Sequence, residues 1–209
     1  MPLTSTDRFL SPSKYIDWQE PTVKAMAERL ALGLSSDEDI AKRCFIYVRD
    51  EIRHSIDHDT GPVTIRASDV LRYKVGFCFA KSHLLAALLR ANGIRAGLCY
   101  QRLTLDDAGN KYCLHGLNAV LLRDHGWYRI DARGNKENVC ADFCPPKERL
   151  AFPVSTPGEV DFAGIWEAPI PTIVRCLTTF KTHVEVLENI PDARRIEIGP
   201  TLDTIWNTD

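Results

Sequence analysis

The chain has 209 residues, 44% of them hydrophobic and 26% charged, with a formal net charge of −2. A chain of this length sits near the upper end for one domain and buries roughly 70% of the surface that its unfolded form exposes, so it needs no disulfide or metal to stand. The ordinary composition excludes disorder, and the near-neutral charge gives no electrostatic reason for nucleic acid or an anionic membrane as main partner, which leaves a small or peptide-like substrate.

A single domain over residues 1–209 is expected, with no linker or repeat to divide it. The N-terminal "MPLTSTDRFLSPSKYIDW" has no apolar stretch of signal-peptide length and nowhere do 18 apolar residues run together, so a cytoplasmic location is expected. Seven cysteines (Cys44, Cys78, Cys99, Cys113, Cys140, Cys144 and Cys176) form an odd set with no repeated pattern. In a reducing compartment most such thiols are buried hydrophobes.

In chain order, the spacing of Val23, Met26, Ala27 and Leu30 predicts a helix from Pro21 to about Leu34. A second follows, with Ser36 as cap and Ile40, Cys44, Tyr47, Val48 and Ile52 as its apolar stripe, to about Arg53. "HSIDHDTGPVTIRAS" reads as a loop, in which His54, Asp57, His58 and Asp59 could hold a metal but are more simply a solvated face. "VGFCFAKSHLLAALLRANGIRAG" then places Cys78 just before a run of helix formers that ends at Asn92-Gly93.

The period then changes to two. "IRAGLCYQRLTL" (94–105), "KYCLHGLNAVLL" (111–122) and "WYRID" read as three strands, joined by a turn at "DDAGN" and a hairpin at "RDHG". Helices followed by an antiparallel meander indicate an α+β fold rather than a parallel sheet with crossover helices. A last helix is expected from Pro171 to about Leu187, and Trp166 is a candidate to line a cleft.

The chemistry starts at Cys78. A helix N-terminus offers free amides and a positive dipole end that stabilise a thiolate, and the thiolate is the nucleophilic form. A nucleophile also needs a base and an orienting group, and His115 and Asp131 are candidates. If "DHG" is a three-residue loop, Arg123 pairs with Trp127 and Asp131 falls opposite Ala119, on the face of His115 but two pleat repeats away. A bulge near Gly116 or strong local twist would be needed to close that gap. Taken alone, His115 could be a satisfied core group and Asp131 a turn residue bonding its own backbone. His83 is on the Cys78 helix but well round from it, and His125 falls in the hairpin turn, where solvent reaches it.

"VGFCFAKSHLLAALLRANGIRAGLCY", "HGLNAVLL" and "GWYRIDA" together resemble the core of the transglutaminase-like superfamily, over about Ala67 to Arg133. The resemblance implies a papain-like arrangement, with the N-terminal helices and a nucleophile helix packed on an antiparallel sheet, in a stand-alone bacterial-type member whose C-terminal extension covers about 134–209. It implies Cys78 as nucleophile, His115 as base and Asp131 as orienting carboxylate, and hence a cysteine-dependent amidase, peptidase or acyltransferase that forms a thioester with a peptide or small amide and needs no cofactor or metal. Leu117 and Asn118 follow His115 where the family often has an aromatic residue and an acid, so the substrate does not carry over. For the oxyanion, the Cys78 amide is one donor; Gln101, Tyr100 and Gln19 are candidates for the second. Two other classes stay open: a zinc-stabilised binding module using Cys113, His115, Cys140 and Cys144, and a silent scaffold that keeps the fold for protein interaction.

Overall fold

A computed structural model describes residues 7–105 and 111–196 of the chain. Its helices are α1 (Pro21–Ala31), α2 (Asp37–Glu51), α3 (Ala67–Tyr73), α4 (Cys78–Ala91), α5 (Pro171–Thr179) and α6 (His183–Glu188). Its strands are β1 (Arg53–His54), β2 (Val75–Gly76), β3 (Ala96–Thr104), β4 (Tyr112–Leu122), β5 (Gly126–Ile130) and β6 (Val160–Asp161). The α+β expectation holds: a four-stranded antiparallel sheet in the order β5-β4-β3-β6 carries α4 on one face, and β1 and β2 form a separate parallel pair. The expected "DDAGN" turn lies outside the described residues.

The second helix starts where its cap predicts, since the Ser36 hydroxyl accepts the Asp39 amide at 3.0 Å. Two expected elements change. The loop after α2 contains β1 and is followed by α3, whose seven residues are too few to show a clear period. The expected last helix divides in two, because Thr182 and Glu185 form a reciprocal capping box that starts α6 after a break at Phe180. Trp166 does not reach the cleft. It pairs with Leu98 and stacks edge-on against Tyr100, with ring centroids 5.2 Å apart.

Helix α4 is the centre of the molecule, buried from Cys78 through Arg90 on every side. A helix hydrophobic all round is one enclosed by other elements, and α1, α2, α3, β3 and β4 all pack on this one. Its buried polar groups are tied to the chain around it. His83 Nδ1 donates to the Ile65 carbonyl at 2.7 Å, and the Arg90 guanidinium donates to the carbonyls of Ser11, Ala96 and Glu167. His83 is thereby turned away from the Cys78 cleft, as its helical position predicts.

Two glycines set the geometry around that helix. At Gly116 an added Cβ would lie 2.7 Å from Phe79 Cδ1 and 3.1 Å from the Phe79 Cα, so the first turn of α4 rests directly on the β4 backbone. Gly126 has φ +68° and pairs with Leu122, which makes the hairpin loop Arg123–His125. The expected pairing of Arg123 with Trp127 is therefore shifted: Ala119 faces Arg129, and Asn118 faces Ile130. Extended by one step, this register aims Asp131 at Leu117, one pleat repeat from His115 rather than two. No bulge is required, because β3 and β4 pair without a break from Ala96↔Val120 to Thr104↔Tyr112.

Replacing Gly116 with Ala forces α4 off β4. The expected cost is about 1–3 kcal/mol in urea unfolding, and alkylation of Cys78 should slow with it. An unchanged unfolding midpoint would show that the helix start is not held against the strand in this way.

Candidate functional site

Cys78 is the first residue of α4, behind an N-cap, Phe77, whose side chain caps nothing. The Cys78 amide is thus one of the first-turn donors left without an intrahelical carbonyl. Although Cys78 is 6% exposed, it opens with His115 onto a cavity of about 350 Å³. Cys78 is close enough to His115 to favour the charged form of its ring.

His115 Nε2 lies 2.8 Å from Asp131 Oδ2, which leaves Nδ1 for the thiol. Asp131 follows the last residue of β5, so its backbone is free of the ladder and its carboxylate can turn back along the sheet to the imidazole. There it is fully buried, and it also accepts the Ala151 amide on Oδ2 and the Arg133 amide on Oδ1, each at 3.1 Å. Three donors on one buried carboxylate fix its orientation and hence that of the ring. The Phe152 ring meets the imidazole edge-on at 5.2 Å and closes one side.

The electrostatics follow from this enclosure. Burial disfavours the imidazolium of His115, but the neighbouring Asp131 and Cys78 outweigh it and push the ring up to about 10. Burial likewise works against the Asp131 carboxylate, and His115 with the two backbone amides overcomes it, holding the group below its ordinary value. Burial pushes Cys44, Cys99 and Cys113 up to about 12 and Cys176 up to about 11.

The three expected oxyanion donors are placed elsewhere. Gln101 sits across the ladder from His115, but its Nε2 donates to Asp161 Oδ1 at 2.8 Å. The Tyr100 hydroxyl accepts the Ile170 amide at 3.3 Å. Gln19 is exposed in the turn before α1. None of them lines the cavity that holds Cys78.

The four residues of the zinc alternative do not gather either. His115 is tied to Asp131, Cys144 Sγ donates to the Lys147 carbonyl at 3.3 Å, and Cys140 is exposed. Among the described residues no three His, Cys, Asp or Glu side chains are grouped to hold a metal, the "HSIDHD" segment included. His125 is not simply solvated: its Nε2 meets Glu38 at 3.1 Å.

Sequence reasoning weighed His54 and Asp57 only as metal ligands and passed over Arg133. Arg133 grips Asp57 through both terminal nitrogens and lines the cavity. His54 lines it as well, because β1 pairs with β2 and sets His54 beside Gly76, two positions before Cys78. The only sequence sign was a histidine directly after a helical stripe, and a two-residue parallel pairing has no pattern of its own.

The model of the transglutaminase-like superfamily matches residues 24–132, about half of the chain. The chain belongs to the transglutaminase-like superfamily. Among solved structures it is similar to a "putative cysteine protease" from Cytophaga hutchinsonii, at 20% identity and a TM-score of 0.51, over 63% of this chain and 43% of that one. It is also similar to the periplasmic domain of TgpA from Pseudomonas aeruginosa, at 21% identity and a TM-score of 0.47, over 63% of this chain and 48% of that one. The chain thus spans less than half the length of either. No curated protein matches it by sequence. Among the described residues no helix is long and apolar enough to cross a membrane.

The His115–Asp131 pair yields a pH test. A ring raised to about 10 when folded, against roughly 6.5 unfolded, contributes stability that is fully present below about pH 6.5 and is lost as pH rises through 10. The depressed Asp131 contributes stability that is present above its unfolded value of about 3.9 and lost as pH falls. Asp131→Asn should therefore cost about 3–5 kcal/mol at pH 6, and urea unfolding should show the gap closing as pH approaches and passes 10. A gap that does not change with pH would mean the pair is uncharged.

Proposed function

We propose that the protein is a cysteine amidase or peptidase that works through a thioester acyl-enzyme, with Cys78 as nucleophile, His115 as base and Asp131 as the positioning carboxylate. The observation that carries this reading is the buried 2.8 Å contact of His115 Nε2 with Asp131, which directs the other ring nitrogen to Cys78.

The roles follow from that geometry. His115 takes the thiol proton, and Asp131 holds the ring orientation and stabilises the imidazolium. The thiolate attacks an amide carbonyl, whose oxygen becomes an anion next to the Cys78 amide. Collapse breaks the C–N bond, and His115 returns the proton to the departing amine. Water, activated by the now neutral ring, then cleaves the thioester and restores the thiol. Hydrolysis is favoured over transfer to an amine, because transfer requires a site that excludes water.

The cavity supports a substrate class. Its walls include Leu103, Leu105, Leu114, Phe152 and Ile190. Among its described lining residues the one carboxylate, Glu159, is occupied by Thr104 and by the amides of Ser155 and Thr156. Such a pocket takes an apolar acyl-side residue of a peptide or small amide. All seven cysteines are free, as thiols in a reducing setting are.

At about pH 6, a limiting dose of iodoacetamide should label Cys78 ahead of the six other cysteines, the exposed Cys140 included. His115→Ala should slow that labelling by tenfold or more (on the order of 10–100), and Asp131→Asn should slow it less, since it acts through the ring. Peptide mass spectrometry reads the order. Labelling spread evenly over several cysteines, or indifferent to His115, would reduce the chain to a scaffold that keeps the fold without the chemistry.

Substrate choice gives a second check. Among short peptide amides, those with Leu or Phe on the acyl side should be cleaved at least tenfold faster (about 1.4 kcal/mol or more) than those with Lys or Glu. Equal rates would detach the apolar cavity from substrate recognition.

A further inference from the structure

One buried side chain in the cleft has a ring nitrogen without a hydrogen bond. His54 is 5% exposed, and its Nδ1 is sealed from solvent without a hydrogen bond. Asp57 Oδ2 lies 3.6 Å from it, beyond bonding distance, so no hydrogen bond holds the ring's one proton on Nδ1. Asp57 is committed elsewhere: both its oxygens take the Arg133 guanidinium, and Oδ1 also accepts Lys136 Nζ at 2.9 Å. A buried ring nitrogen left unpaired carries a desolvation cost that the fold does not recover within itself.

The position of that ring is specific. Pairing of β1 with β2 sets His54 against Gly76, and its ring meets the Phe77 ring edge-on at 6.2 Å. Phe77 is the N-cap of α4, so His54 stands beside the helix start that carries the Cys78 amide. His115 comes to the same cavity from β4 instead. The Nδ1 side of the ring is turned to Asp57, which lines a second cavity with Lys81, and this leaves Nε2 for the cleft.

We propose that His54 is the second oxyanion donor, a neutral imidazole whose Nε2–H, together with the Cys78 amide, hydrogen-bonds the oxygen of the tetrahedral intermediate. The assignment rests on the acyl-enzyme reading above and supplies the donor that Gln101, Tyr100 and Gln19 do not. The surroundings suit the role. Burial and then the Arg133 cation hold His54 well below its ordinary value, so the ring stays neutral and its proton stays in place through the reaction. The donor is a fixed dipole on a strand and needs no reorganisation when charge develops on the carbonyl oxygen.

The test compares two reactions of one thiol. Alkylation by iodoacetamide displaces iodide and forms no tetrahedral oxyanion; acylation by p-nitrophenyl butyrate forms one. In the wild type both should proceed, the second as a burst of p-nitrophenolate with the butyryl group on Cys78. In His54→Ala and His54→Phe the acylation rate should fall about 10²–10³-fold, while alkylation stays within about threefold (~0.65 kcal/mol). In His54→Gln, whose amide keeps a donor, acylation should recover at least tenfold over His54→Ala. A parallel fall in both reactions would mean that His54 only supports the fold. Unchanged acylation in His54→Phe would remove it from the oxyanion site and leave the nucleophile in place. No burst in the wild type would overturn the acyl-enzyme reading, and the donor assignment with it.

Discussion

Everything at the site depends on how closely the first turn of α4 approaches the β4 backbone. Gly116 has no side chain, so Phe79 can rest on the strand, and one step along each element bring Cys78 and His115 to a common cavity. The approach is stiff because α4 is enclosed by helices and sheet together. Its charged and polar side chains act as ties to the chain around it, not as a solvated face. Shape is thus set by packing, and packing sets the reacting distance.

Charge is the second constraint, and it reaches in from the loops. Asp131 is a carboxylate in a place with no solvent, and it is tolerable there only because the imidazole and two amides share it. One of those amides belongs to Ala151, in the irregular stretch after the sheet. Arg133 joins the same stretch to Asp57 and so to the segment carrying His54. The loops after β5 therefore do structural work at the centre of the site, although they carry little regular structure.

Much of this was legible in the residues. The change from helical period to alternation at Ile94 marks the fold class, and the Cys78, His115 and Asp131 motifs mark the superfamily. The register of the β4–β5 hairpin was not legible, because a shift of Gly126 from loop to strand moves Asp131 by one pleat repeat, and a turn sequence does not choose between the two. The β1–β2 pairing was hidden for a related reason: two residues show no alternation, and the partner lies beyond an intervening helix. The oxyanion candidates failed because a polar residue near the motif in sequence can be claimed by a neighbour, as Asp161 claims Gln101.

The segment after α6 has a consequence for how a substrate can lie. The Leu114 amide on the outer edge of β4 donates to the Pro191 carbonyl at 2.7 Å, Ile190 faces the cavity, and Asp192 is clasped by both ends of the Arg102 guanidinium fork at 2.6 and 2.7 Å. The chain has thus filled from within the strand edge nearest its own nucleophile. An incoming peptide finds no vacant backbone donor at Leu114 and cannot dock there as an added strand unless this segment moves. What that edge offers instead is a wall of apolar side chains, Leu103, Leu114 and Ile190, so a guest there would meet bulk rather than open backbone.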